Sequence, residues 1–75
     1  MTRLPQVTAA ELVRFLKKQG FVETRQAGSH LTLRHDARKV TVTIPIHSGV
    51  DIGRGLAHRI LRDAGFSADD FIKLR

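Results

Sequence analysis

Apolar residues recur along this chain with two different periods. At Ala9, Leu12, Val13 and Leu16 the spacing is i, i+3, i+4, i+7, the single stripe of a helix with one buried face. Further on the period falls to two. Leu31 and Leu33 alternate with His30, Thr32 and Arg34, and Val40, Val42 and Ile44 alternate with Lys39, Thr41 and Thr43. The helical period returns at Ile52, Leu56, Ile60 and Leu61. The pattern predicts a helix, then strands over residues 22–26, 31–35 and 39–44, then a second helix.

The ends of these elements carry their own chemistry. Thr8-Ala9-Ala10-Glu11 has the form of a capping box, and Val7 and Leu12 stand where a hydrophobic staple would hold the entering chain. Gly20 should end the first helix in the left-handed conformation, with Phe21 folding back on Leu16. "LRDAGF" repeats the ending "LKKQGF", so Gly65 should stop the second helix with Phe66 against Leu61. Ser67-Ala68-Asp69-Asp70 is a second capping box, flanked by Phe66 and Phe71 as staple, and predicts a short C-terminal helix. Gly53 and Gly55 leave the start of the second helix open by a turn. The sum is an α+β fold: helix, three-stranded antiparallel meander, helix and a short extra helix, with the helices on the apolar face and a polar face left open.

Seventy-five residues suffice for one domain, spanning 1–75, with one small core and at most one site. Without cysteine there is neither a disulfide nor a thiolate zinc site. No run approaches a membrane span and no apolar signal segment precedes the first helix, so the expected location is the cytoplasm. Thirteen Lys and Arg against seven Asp and Glu give a formal net charge of +6, concentrated before residue 63. That electropositive body suits a polyanion or an acidic partner, and it also serves solubility.

Four histidines invite a search for chemistry. None has a neighbour at metal-ligand spacing, so a metal or other cofactor is not expected. Ser29 adjoins His30 in sequence, but neighbours on a strand point apart, which argues against a serine-hydrolase pair. If the pleat holds, His30 shares the open face with Thr32 and Arg34, just after "AGS". An imidazole can take or give a proton near neutral pH. For RNA that proton would come from a 2′-hydroxyl or go to a leaving 5′-oxygen, with Arg25, Arg34 and Lys39 as the cations nearest by strand pairing. The competing reading of "AGSH" is a Gly-Ser turn followed by a solvent-exposed histidine. His47, in "PIHSG", is either part of a loop closure or a second group for the same chemistry. The sheet has no Tyr or Trp, and Phe15, Phe21, Phe66 and Phe71 all fall on helices or their caps, so base stacking on the sheet is not expected.

"LKKQGF", "RQAGSH", "VTVTIPIHSG" and "ILRDAGFSADDF", in this order and spacing, resemble the HicA family of toxins, over about residues 4–71. The resemblance implies a fold similar to the double-stranded-RNA-binding domain. It implies a ribosome-independent endoribonuclease that cleaves mRNA and tmRNA and is neutralised by a HicB-family antitoxin, with DNA contacted only through the antitoxin. The family's Gly-Ser-His motif maps onto Gly28, Ser29 and His30, with His30 as the catalytic histidine, and His47 matches its Pro-x-His. Leu31 stands where many members carry a second histidine or another polar or aromatic residue, so a two-histidine pair at 30 and 31 is not available, and Gly55-Leu56-Ala57-His58 replaces the family's Gly-Thr-Leu-Arg. Two other classes compete with the nuclease: a non-catalytic double-stranded-RNA-binding module, and a structural domain whose positive surface binds only an acidic protein.

Overall fold

The computed structural model describes residues 3–46 and 51–75. Its elements in chain order are β1 (Val7–Thr8), α1 (Ala9–Lys18), β2 (Val22–Ala27), β3 (His30–His35), β4 (Val40–Pro45), β5 (Asp51–Ile52), α2 (Arg54–Ala64) and α3 (Ala68–Leu74). The antiparallel meander has the order β2-β3-β4, and α2 and α3 follow it, as the double period predicts. The architecture is α+β and consistent with a double-stranded-RNA-binding-domain-like arrangement.

Local signals set the helix boundaries. The Thr8 hydroxyl accepts from the Glu11 amide and the Glu11 carboxylate accepts from the Thr8 amide, each at 3.2 Å, which closes the capping box. At the far end Gly20, with φ +102°, donates to the Lys17 carbonyl while Phe21 donates to that of Leu16. Gly65, φ +94°, and Phe66 do the same to Arg62 and Leu61. Both helices therefore end in the Schellman arrangement that "QGF" and "AGF" announced.

The core lies between the helices and one face of the sheet. Leu31, Leu33, Val42 and Ile44 point into it from β3 and β4, and Leu12, Phe15, Leu16, Ala57, Ile60 and Leu61 meet them from the helices. Phe15 of α1 sits between the two C-terminal aromatics, edge-on to Phe66 at 5.2 Å and to Phe71 at 5.0 Å, and so ties α3 to α1.

Three expectations are corrected. Ile52 is buried from β5 rather than from a helix, because α2 begins only after Gly53. Its buried stripe is Ala57, Ile60, Leu61 and Ala64, whereas Leu56 is 41% exposed. At 3.6 residues per turn Leu56 lies about 90° from the centre of that arc. Lys39 precedes β4 instead of opening it: its φ of +56° places it in the left-handed region, where it closes the turn by donating its amide to the Asp36 carbonyl at 3.2 Å. The pairing of β1 with β5, Val7 opposite Ile52, has no counterpart in the periodicity, since two-residue strands are too short to show one.

Candidate active site on the open face of the sheet

The site begins with a turn. Ala27 pairs with His30, leaving Gly28 and Ser29 as a two-residue hairpin loop. Gly28 has φ +59° and Ser29 does not have a positive φ, the sign pattern of a type II′ turn, whose first central position favours glycine. A side chain added at Gly28 would meet nothing within 4 Å, so the backbone angle and not crowding explains this glycine. The Ser29 carbonyl accepts the amide proton of Ile46, which fastens the turn to the end of β4. "AGSH" is thus a turn, and it delivers His30 as the first residue of the central strand, exposed and paired on both sides, with Ala27 and Pro45.

Parity places Thr32 and Arg34 on the same face as His30, with Thr41 and Thr43 opposite them on β4. The hydroxyls of Thr32 and Thr43 lie 3.4 Å apart. Arg34 is held from two sides, donating from Nη1 to the Thr41 hydroxyl at 2.9 Å and from Nε to the Asp36 carboxylate at 2.8 Å. The result is a flat, hydroxyl-rich platform with His30 at one end.

Arg25 reaches this platform by an irregularity. Glu23 pairs with Leu33, so a regular register would set Thr24 opposite Thr32 and turn Arg25 to the helix side, opposite Leu31. Instead the register shifts between Glu23 and Arg25, and Arg25 pairs with Thr32. This β-bulge places two residues, Thr24 and Arg25, against one. Thr24 Oγ1 donates to the Thr32 carbonyl at 3.3 Å, which fills the widened step. Arg25 faces the open side one strand step from His30 and makes no ion pair with a described residue.

The remaining candidates divide. Arg34 lies four residues along β3 from His30, about 13 Å at the rise of an extended strand. Lys39 stands beyond the His35–Val40 pair, at the opposite end of the hairpin from His30. His47 lies outside the described residues. His35 turns to the other face, edge-on to Phe21 at 5.3 Å, and its Nδ1 accepts the Arg38 amide proton at 3.2 Å. A Cβ at Gly20 would come within 2.9 Å of the His35 ring, so this histidine is part of the packing behind the sheet. Among the described residues no three His, Cys, Asp or Glu side chains are grouped to hold a metal ion. None of their helices is long and apolar enough to cross a membrane.

The bulge is the feature that sequence reasoning missed. Its one visible trace is the absence of alternation in "VETRQA", all six residues of which are exposed. No curated protein matches the chain. A family model described as HicA toxin of bacterial toxin-antitoxin matches residues 9–66, from the start of α1 to the cap of α2, and so spans the whole platform.

Proposed function

The chain belongs to the HicA family of toxins of bacterial toxin–antitoxin systems, and from that premise we propose that it is an endoribonuclease in which His30 transfers a proton during cleavage of mRNA. The observation that carries this reading is the exposed imidazole at the head of β3, on the same face as the guanidinium of Arg25, which makes no ion pair with a described residue. An RNA strand laid across the platform would bring a phosphate over Thr32, between these two groups. His30 takes the proton of the 2′-hydroxyl, the 2′-oxygen attacks phosphorus, and the bond to the 5′-oxygen breaks. Arg25 offsets the charge that develops on the phosphoryl oxygens. The departing 5′-oxygen takes a proton in turn, leaving a 5′-hydroxyl and a 2′,3′-cyclic phosphate, which water opens to a 3′-phosphate.

In-line displacement puts the attacking and leaving oxygens on opposite sides of phosphorus, so one imidazole serves one of them. His47 is the candidate for the other, by its place in Pro45-Ile46-His47. Membership of the family implies an antitoxin partner. On this reading the antitoxin covers the platform and excludes RNA from it. The protein acts on free mRNA and tmRNA in the cytoplasm without the ribosome.

The test is a defined mRNA incubated in EDTA with purified protein and with His30→Ala, with the new ends mapped. Cleavage by the wild type alone, leaving 5′-hydroxyl ends, is expected. Intact RNA with a retarded band for both proteins would replace the nuclease by a binding module, and cleavage only on adding a divalent ion would remove His30 from the acid–base role.

A further inference from the structure

Away from the platform, the outer surface of α2 forms a shallow concavity of about 500 Å³ lined by Gly55, His58, Arg59, Arg62, Gly65 and Phe66, with the start of α3 along its side. Positions 55, 58, 59 and 62 have the i, i+3, i+4, i+7 spacing of a single helix face, on the side of the helix opposite the buried Ala57, Ile60, Leu61 and Ala64. A third cation enters from the sheet. Arg38, in the turn after β3, lays its guanidinium over the Phe66 ring at 5.2 Å and fills the space above Gly65. No carboxylate lines the concavity, and neither Arg59 nor Arg62 makes an ion pair with a described residue.

We propose that this face of α2 is a second RNA-binding surface, which holds phosphates of the strand at a distance from the segment over His30. The inference rests on the proposed RNA substrate and adds a separate contact region for it. A protein partner would need an apolar centre to anchor it. Here the largest apolar group is Phe66, already half-buried and covered by Arg38. Guanidinium groups on an open, wet surface suit the phosphate backbone instead, which they bind through two parallel hydrogen bonds. The surface is also continuous with the platform. Asp36, which holds Arg34 on the open face, and Arg38 belong to the same turn, so cations run from the open face around the end of the β3–β4 hairpin to α2. The molecule is only 17 Å across in its thinnest direction, so one long strand reaches both surfaces.

The experiment measures binding of a long single-stranded RNA by fluorescence anisotropy over a range of salt, in a His30→Ala background so that nothing is cut. Arg59→Gln/Arg62→Gln is compared with Arg14→Gln/Lys18→Gln, which removes the same charge from the exposed side of α1. If each arginine holds one phosphate, the first pair lowers the slope of log K against log salt by about 1.4 and weakens binding about tenfold at low salt, while the control keeps the slope. Thermal melts confirm that both pairs fold, and Arg62→Gln alone should remove half of the slope change. Equal losses for the two pairs would reduce the surface to net charge, and an unchanged slope would remove it. Lost affinity for the antitoxin with RNA binding intact would make it a protein interface. Because binding is read without cleavage, a wild type that fails to cut RNA leaves this result standing, and an unchanged slope leaves the nuclease reading standing.

Discussion

The two faces of the meander are built from the same strands and differ only in parity. On one face Leu31, Leu33, Val42 and Ile44 are 5% exposed or less. On the other, Thr32, Arg34, Thr41 and Thr43 join neighbouring strands through side-chain contacts and remain open to water. The packed face fixes the register of β3 against β4, because a slip of one residue would turn every apolar side chain outward. β2 is under no such constraint. Its helix-side residues are Glu23 and Gln26, all six of its residues are exposed, and its register is free to break. The bulge occurs in this strand, and through it Arg25 reaches the open face. Packing fixes the strand that carries His30; its absence leaves room to re-aim the arginine beside it.

The largest effect should come from breaking the packed face. Leu33 is fully buried in the central strand, and Leu33→Ala should cost about 2–5 kcal/mol. A core of this size provides roughly 3–5 kcal/mol in total, so urea or thermal denaturation should show a largely unfolded variant. His30→Ala, three residues away on the same strand and on the opposite face, should leave the melting temperature close to that of the wild type, since an exposed side chain is lost. On the proposed mechanism it nevertheless lowers cleavage by about 10²–10⁴-fold. A His30→Ala protein that melted like Leu33→Ala would mean that the two faces are not independent.

How far the sequence discloses this arrangement follows the same division. The core strands, both capping boxes and both glycine caps are legible because each rests on chemistry between near neighbours: parity for Leu31 and Leu33, a hydroxyl and a carboxylate three residues apart for Thr8 and Glu11, a left-handed glycine for Gly20 and Gly65. The position of His30 is legible for the same reason, from the glycine turn before it and the alternation after it. Pairing between distant segments is not. The Val7–Ile52 bridge, the exposure of Leu56 and the reach of Arg38 to Phe66 depend on tertiary placement. Arg25 is the sharpest instance. Strict alternation from Glu23 would turn it to the helix side, and only the register against β3 shows that it faces His30.

A smaller effect separates the two arginines of the open face. Arg34 is already engaged by Thr41 and Asp36, whereas Arg25 is available to a phosphate. Arg25→Gln should therefore lower kcat/KM for RNA cleavage by about tenfold, the worth of one charge-assisted hydrogen bond, and Arg34→Gln by distinctly less. Deletions test the bulge itself. Removing Thr24 closes it with Arg25 still opposite Thr32, so most activity should survive; removing Arg25 closes it with Thr24 in that place, and activity should fall as in Arg25→Gln. Equal losses in the two deletions would show that the strand's integrity matters and the aim of Arg25 does not.

The smallest effect belongs to the edge of the packed side, where α3 is capped. The Asp70 carboxylate accepts the Ser67 amide proton at 2.9 Å, and the Ser67 hydroxyl accepts that of Asp70 at 3.1 Å. The backbone bond from Ser67 is the main cause that holds the Asp70 carboxyl below its ordinary value of 3.8, helped by the Ser67 side chain and by Lys73. A carboxyl whose folded pKa lies below its unfolded one favours folding above the unfolded pKa, and the contribution is lost as pH falls through the folded pKa. Melting curves of the wild type and Asp70→Asn should therefore differ at neutral pH and converge below pH 3.8 as the wild-type carboxyl takes up its proton. Asp70 lies at the protein surface, where solvent screens the interaction, so the difference is small. It should reach the core only through Phe71 and its contact with Phe15, and RNA binding at the open face should not follow it. If RNA binding by Asp70→Asn did fall at neutral pH, α3 would be supporting the platform through the core, and the separation of the two faces would end there.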